Sequence, residues 1–303
     1  MTRHFIARYR NNLEWLKGDP VKSATYNIQG KLLTVETEDK ELLFLLAERY
    51  GCFFSGGKAS SSCRIKIKKC NSHYIFTDSS GKSSLCRHAG EVLYPYLTHT
   101  FDEIFENLSH HLVFHGSAFS TAFGGILILG RSGAGKTSLV LEMIKRGFSY
   151  ISDDVSMVHV SRRNELIPNP LGFKLSPSLL KSQGAESSPF NDKYLSPGNI
   201  DNLEISAPCR LSAVILLSDE KSNNDEGQPA CFGDYMAHLS ELIIPPSERK
   251  SSLYKLEALF ENVPFGVMTS SKEITVSKKA QNILDSLELN MNSTSKSMVS
   301  LSW

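Results

Sequence analysis

The chain has 303 residues, 41% of them hydrophobic and 21% charged, and carries a net charge of +1. That balance describes an ordinary globular protein with room for one large core or two moderate domains. It excludes a strongly basic nucleic-acid binder, no nucleic-acid motif is present, and no apolar run is long enough to span a bilayer. Met1-Thr-Arg-His-Phe-Ile-Ala-Arg8 lacks the uninterrupted apolar core of a signal peptide, so a cytoplasmic protein with no membrane partner is expected. Cysteines 52, 63, 70, 86, 209 and 231 form no C-x-x-C pair and fit no zinc spacing, which favours reduced, structural thiols.

Residues 1 to about 24 read as a short, partly helical lead-in closed by Gly18-Asp-Pro20. Tyr26 to Thr37 alternates around Gly30, a strand or hairpin pattern. Glu38–Tyr50 spaces Leu42, Leu43, Leu45, Leu46 and Tyr50 as an amphipathic helix, with Gly51 as its expected cap. After the Ser- and Gly-rich stretch 55–62, Arg64-Ile-Lys-Ile-Lys-Lys69 alternates as a strand with one solvated basic face. Tyr74–Asp78 and Glu91–Tyr94 continue the strand rhythm around a turn at Asp78–Lys82. Residues 1–97 are therefore expected to form a small β-rich α+β module, followed by a P-loop domain over 98–290 and a Ser-rich, disordered tail over 291–303.

Leu97–Phe114 reads as a four-turn helix that delivers His115-Gly116. The apolar run Gly125–Leu129 is a buried strand, and Leu139-Val140-x-x-Met143-Ile144 begins a helix. Between them stands Gly130-Arg-Ser132-Gly133-Ala134-Gly135-Lys136-Thr137, a P-loop pattern. Glycines let successive N–H groups turn inward onto phosphate oxygens, and the helix N-terminus adds its dipole. Lys136 then bridges the outer phosphates and the Thr137 hydroxyl ligates Mg²⁺, with Gly130, Ser132, Gly133, Ala134, Gly135 and Ser138 completing the cradle. The pattern predicts a nucleoside triphosphate, ATP or GTP, with Mg²⁺.

Tyr150–Val160 reads as one strand, ending in a turn at Ser161–Asn164, and it carries the pair Asp153-Asp154. Neighbours on a strand face opposite ways, so two adjacent carboxylates are expected to do two jobs. Residues 164–200 read as a long irregular segment, Leu211–Ser218 as a buried strand and Asp219–Pro229 as a polar excursion. Phe232–Ile243 and Ser251–Glu261 have helical patterns, Pro264–Thr269 is a last strand, and Ile274–Leu289 is a final helix.

The block from His115-Gly116 through Gly130-x₂-Gly-x-Gly-Lys-Thr137, Leu141-Glu-Met-Ile-Lys-Arg-Gly147 and Ser152-Asp-Asp-Val155 resembles the catalytic domain of HPr kinase/phosphorylase. Arg210-Leu-Ser-Ala-Val-Ile-Leu-Leu217 is a weaker match to a strand of that family. The resemblance covers roughly residues 112–270. It implies the mixed sheet shared with phosphoenolpyruvate carboxykinase, built around a P-loop, and γ-phosphoryl transfer to a serine hydroxyl. It gives Asp153 the role of general base, Thr137 and Asp154 the Mg²⁺ neighbourhood, and His115 a place beside the base. It also implies a homo-oligomer.

The chain departs from the bifunctional enzymes in having Ser138 where they have Glu. Their Glu-Ile-Arg-Gly-Leu-Gly-Ile loop is replaced by Pro168-Asn-Pro-Leu-Gly-Phe-Lys174-Leu-Ser-Pro177, which argues against phosphorylase activity and against HPr as substrate. The chain is more similar to stand-alone HPr kinase-like proteins of peptide natural-product pathways, including kinases that tailor lasso-peptide precursors. That similarity makes Lys174 a candidate phosphate or substrate contact, against a solvated lysine. Arg210 either neutralises the transferring phosphate or pairs with a carboxylate. The leading expectation is a Mg²⁺–ATP-dependent serine kinase acting on a peptide or small protein. A nucleotide-binding partner module without turnover and a kinase of free serine or another small alcohol stay open.

Overall fold

A computed structural model describes residues 23–28, 30–56, 63–89, 91–92, 110–160, 163–175, 194–218, 232–244, 250, 252–269 and 274–292. Expectations for the lead-in before residue 23, for most of the Leu97–Phe114 helix, for the excursion at 219–229 and for the tail beyond 292 lie outside them. The chain clusters into two compact units, one of residues 1–109 with 170–202 and one of residues 110–169 with 203–303. Among the described residues no helix is long and apolar enough to cross a membrane.

The first unit contains a six-stranded sheet of order β3-β1-β2-β4-β5-β6. Its strands are β1 (Ser23–Ile28), β2 (Lys31–Glu36), β3 (Phe54–Gly56), β4 (Cys63–Cys70), β5 (His73–Thr77) and β6 (Ser83–Cys86), with helix α1 at Lys40–Tyr50. The Tyr26–Thr37 pattern is the β1–β2 hairpin, turning at Gly30 with φ +84°. The alternation of β4 is real: Cys63, Ile65 and Ile67 are buried while Arg64, Lys66 and Lys68 are exposed. Asp39 caps α1 by accepting from the Leu42 N–H. Gly51 caps α1 as expected, its N–H donating to the Ala47 carbonyl, but in a right-handed conformation at φ −58° that starts a 3₁₀ turn over Gly51–Phe53. Glu91 and Val92 are helical rather than extended, because Glu91 closes a turn onto His88 and its carboxylate takes the Arg87 N–H; the strand here is β6.

The second unit opens with β7 (His111–Phe114), β8 (Gly116–Thr121) and β9 (Gly124–Gly130). Helix α2 (Lys136–Lys145), β10 (Ser149–Ser152), β11 (Ser156–His159) and β12 (Glu165–Ile167) follow. The chain then adds a two-residue ribbon, β13 (Phe173–Lys174) with β14 (Tyr194–Leu195), to the first unit. It returns with β15 (Cys209–Ser218), α3 (Phe232–Glu241), α4 (Leu253–Phe260), β16 (Phe265–Thr269) and α5 (Val276–Asn292). The end of the expected Leu97–Phe114 helix is thus β7, since Leu112, Val113 and Phe114 pair with β11 and are buried. The expected irregular segment likewise holds β12, paired between β11 and β15.

The eight-stranded sheet runs β10-β8-β9-β15-β12-β11-β7, with β16 on β15. It is mixed: β15 is parallel to β9 and β16, while its other pairings are antiparallel. Leu127, Leu129, Leu166, Val214 and Leu216 pack with Leu239, Leu256 and Leu259 in one core. The expected single strand Tyr150–Val160 is two strands. β7 lies against β11, with Phe114 opposite Ser156, and β8 lies against β10, with Ala118 opposite Ser152. Between those pairs the ladder splits, so that residues 115–117 on one side and 153–155 on the other are not paired with each other, while Gly116 and Ser117 stay paired to β9. Asp154 sits there in a left-handed conformation, φ +72°.

Candidate active site

The loop between β9 and α2 owes its shape to glycine. Gly130 at φ +148° leaves no room for a Cβ, which would lie 2.8 Å from the Leu217 carbonyl oxygen; Gly133 and Gly135 are left-handed at φ +85° and +98°. Arg131, Ser132 and Gly133 are exposed, while Ala134, Gly135, Thr137 and Ser138 are half-buried. The Lys136 ammonium folds back to donate to the carbonyls of Gly130 at 2.8 Å and Arg131 at 3.1 Å. Burial pushes the Lys136 ammonium below its ordinary pKa, and the charges of Asp154 and then Asp153 oppose that shift.

The split in the ladder supplies the remaining groups. Asp153 is 1% exposed and accepts hydrogen bonds from two hydroxyls. Thr137 Oγ1 lies 3.0 and 3.1 Å from its two carboxylate oxygens, and Ser117 Oγ lies 2.5 Å from Oδ1. Asp154 points elsewhere. Its Oδ1 is 3.2 Å from His115 Nδ1, and the two side chains are 29% and 32% exposed. The carboxylate coupled to Thr137 is therefore Asp153, whereas the family resemblance groups Thr137 with Asp154. The reason is local: the left-handed backbone at Asp154 sets the second carboxylate beside His115, from where its charge still acts on Lys136. The two carboxylates have different surroundings, and these come from a split ladder rather than from strand alternation.

Arg210, another expected contact, is not brought to this cluster. Arg210 stands at the start of β15, whereas Leu217, seven residues on, lies beside Gly130. At about 3.3 Å per residue the two ends are roughly 20 Å apart, so Arg210 does not reach the loop; it is exposed, beside Glu165 in the ladder register. Lys174 belongs to the first unit, exposed on the β13–β14 ribbon. Ser117 is the group that sequence reasoning missed.

The cluster offers hard oxygen donors, Thr137 and Asp153, beside a glycine loop and a lysine. Among the described residues no group of three His, Cys, Asp or Glu side chains forms a metal cage. Mg²⁺ needs none, since it is ordinarily held by one or two protein oxygens with substrate phosphates and water. The residues present fit that ion.

The segment that carries this strand, glycine loop, helix and Asp-Asp pair has relatives in sequence. Residues 106–171 match the family model of the HPr Serine kinase C-terminal domain. The HPr kinase/phosphorylase of Chlorobium limicola is 34% identical over 89 residues, covering 27% of this chain and 26% of that protein. The HPr kinase/phosphorylase of Thermoanaerobacter sp. strain X514 is 29% identical over 122 residues, covering 40% and 38%. The HPr(Ser) kinase/phosphatase structure from Coxiella burnetii superposes at a TM-score of 0.35 and 15% identity over 59% of this chain and 92% of that one. The protein is HPr kinase-like over the segment that bears the loop, His115 and the Asp pair. The chain spans about a quarter to two-fifths of the length of these curated relatives.

Proposed function

We propose that this protein is a Mg²⁺–ATP-dependent kinase that transfers the γ-phosphoryl group to a serine hydroxyl of a peptide or small protein. The observation that carries the reading is the meeting of Thr137 with Asp153 while Asp154 and His115 form a separate, half-exposed pair. The glycine loop's N–H groups and Lys136 would grip the donor phosphates, Lys136 exchanging its present carbonyl partners for phosphate oxygens. Thr137 and Asp153 would hold Mg²⁺, which when bound neutralises charge on the transferring group.

The buried Asp153, already occupied by two hydroxyls, is poorly placed to meet an incoming alcohol. Asp154 suits that task better. Its carboxylate accepts the acceptor proton as the serine oxygen bonds to the γ-phosphorus. The bond from that phosphorus to the β,γ-bridging oxygen breaks, and ADP leaves. His115 orients Asp154 and shares its charge.

The peptide acceptor follows from the resemblance to stand-alone HPr kinase-like proteins and from Ser138, which stands where the bifunctional enzymes have Glu. A precursor peptide of a natural-product pathway is the specific form of that reading, and a homo-oligomer is the assembly it suggests. The test is transfer from γ-labelled ATP to serine peptides, to HPr and to free serine, resolved by mass spectrometry. Label on a peptide serine supports the proposal. Label on free serine alone makes this a small-molecule kinase, and transfer that survives in both Asp153→Asn and Asp154→Asn contradicts the site assignment.

A further inference from the structure

We infer that Ser117 is a positioning residue: its hydroxyl fixes the Asp153 carboxylate in the orientation that meets Thr137, so that the two side chains together can hold the metal of the metal–nucleotide complex. The nature of that ligand rests on the kinase reading above; the geometry around Ser117 does not.

Ser117 sits on β8 with no exposed surface, between the splitting ladder on one side and Ile128 of β9 on the other. Its strand neighbours Ala118 and Phe119, like Leu127, Ile128 and Leu129 on β9, are buried and apolar. A hydroxyl placed among them costs free energy unless it is bonded, and its bond goes to Asp153 Oδ1 at 2.5 Å. The backbone of the Asp153–Val155 turn is secured by other groups. Ser152 and Ser156 bridge across its base through their hydroxyls at 2.7 Å. Buried Asn169 donates from Nδ2 to the Val155 carbonyl at 3.1 Å and from its own N–H to the Ile151 carbonyl at 2.9 Å.

Ser117 is therefore not needed to fold the turn. What it sets is the direction of one side chain. Asp153 takes one hydroxyl from α2 and one from β8, and the β8 donor holds Oδ1, so its loss frees the carboxylate to turn. A threonine oxygen that ligates a cation can still give its proton to Asp153, so the carboxylate raises the donor strength of Thr137 only if it stays aimed at it. Partners of this kind, one step removed from a metal, commonly change metal affinity by 10- to 100-fold when removed.

The test is Mn²⁺ binding, followed by electron paramagnetic resonance, to the whole protein with a non-hydrolysable ATP analogue. Ser117→Ala deletes the donor, and Ser117→Cys keeps the shape while replacing a hydroxyl with a weak donor. Both variants should bind Mn²⁺ roughly tenfold more weakly, with analogue affinity in the absence of metal unchanged. Wild-type Mn²⁺ affinity in the Cys variant overturns the inference, because only packing would then matter. A wild-type protein that binds no Mn²⁺ with the analogue overturns the nucleotide reading, and the role of Ser117 falls with it.

Discussion

Replacing Asp154 with Asn separates the chemical step from ligand binding. Asn is the right probe because position 154 has φ +72°, a conformation Asn tolerates and most side chains do not. The carboxylate is 29% exposed and its contact with His115 is a half-solvated pair, so losing it should change stability by less than about 1 kcal/mol. Loss of a positioned general base typically costs 10²- to 10⁴-fold, or about 3 to 5 kcal/mol at 1.36 kcal/mol per tenfold. Steady-state phosphoryl transfer at varied Mg²⁺–ATP should therefore show kcat reduced by that factor and KM for the nucleotide within about threefold. Asp153→Asn should behave differently. The amide oxygen can still take both hydroxyls, but the charge is gone and an N–H₂ donor replaces the second oxygen that Thr137 meets, so about 1 to 3 kcal/mol of stability and most of the Mg²⁺ affinity should be lost. Asp154→Asn with unchanged kcat would refute this division of roles. So would Asp153→Asn that loses kcat while keeping its Mg²⁺ dependence, which is the assignment the family resemblance makes.

Three further outcomes follow from the structure. Lys136→Met should abolish ATP binding by calorimetry and lower the melting temperature, since the Gly130 and Arg131 carbonyls lose their donor and buried Asp153 loses a nearby cation. At pH 8, iodoacetamide should label exposed Cys70 and spare Cys52, whose thiol burial and then the Glu48 charge push up to about 12, as peptide mapping would show. Asp39→Ala should destabilise the first unit by about 1 to 2 kcal/mol in chemical denaturation, through loss of the α1 cap. Burial alone would raise the Asp39 pKa, but bonds from Lys69, the Leu42 N–H and Tyr74 outweigh it and hold the carboxyl below its ordinary value. Its contribution is thus present above the unfolded carboxylate pKa and is lost as pH falls through the lower folded value. The wild-type advantage over Asp39→Ala should shrink over that acid range.

The strand, loop and helix around Lys136 were legible because their apolar runs and glycine spacing are local properties. So was β4, whose alternation of Ile with Lys survives any tertiary context. What the chain did not disclose depends on register. Tyr150 to Val160 has the apolar pattern of one strand, and only its partners, β8 before the Asp pair and β7 after it, show that the ladder splits there. Arg210 lay in a family-like strand, but that strand is parallel to β9, which carries its first residues to the end opposite Gly130. Residues 170–202 cluster with the first unit through contacts far apart in sequence. The Gly172 N–H bonds to the Arg49 carbonyl at 2.8 Å, and Ser196 N and Asn199 Nδ2 bond to Glu48. Ser117 was hidden because a serine in a strand looks like any small residue until its partner is known.

The central claim is that the γ-phosphoryl group of ATP ends on a serine hydroxyl. Its most direct test is the fate of label from γ-labelled ATP when the protein, Mg²⁺ and a set of serine-containing peptides are incubated together. The account predicts a phosphoserine on an acceptor peptide, absent when Lys136→Met replaces the wild type. Label appearing only as inorganic phosphate with every acceptor, or remaining wholly on ATP, would contradict it.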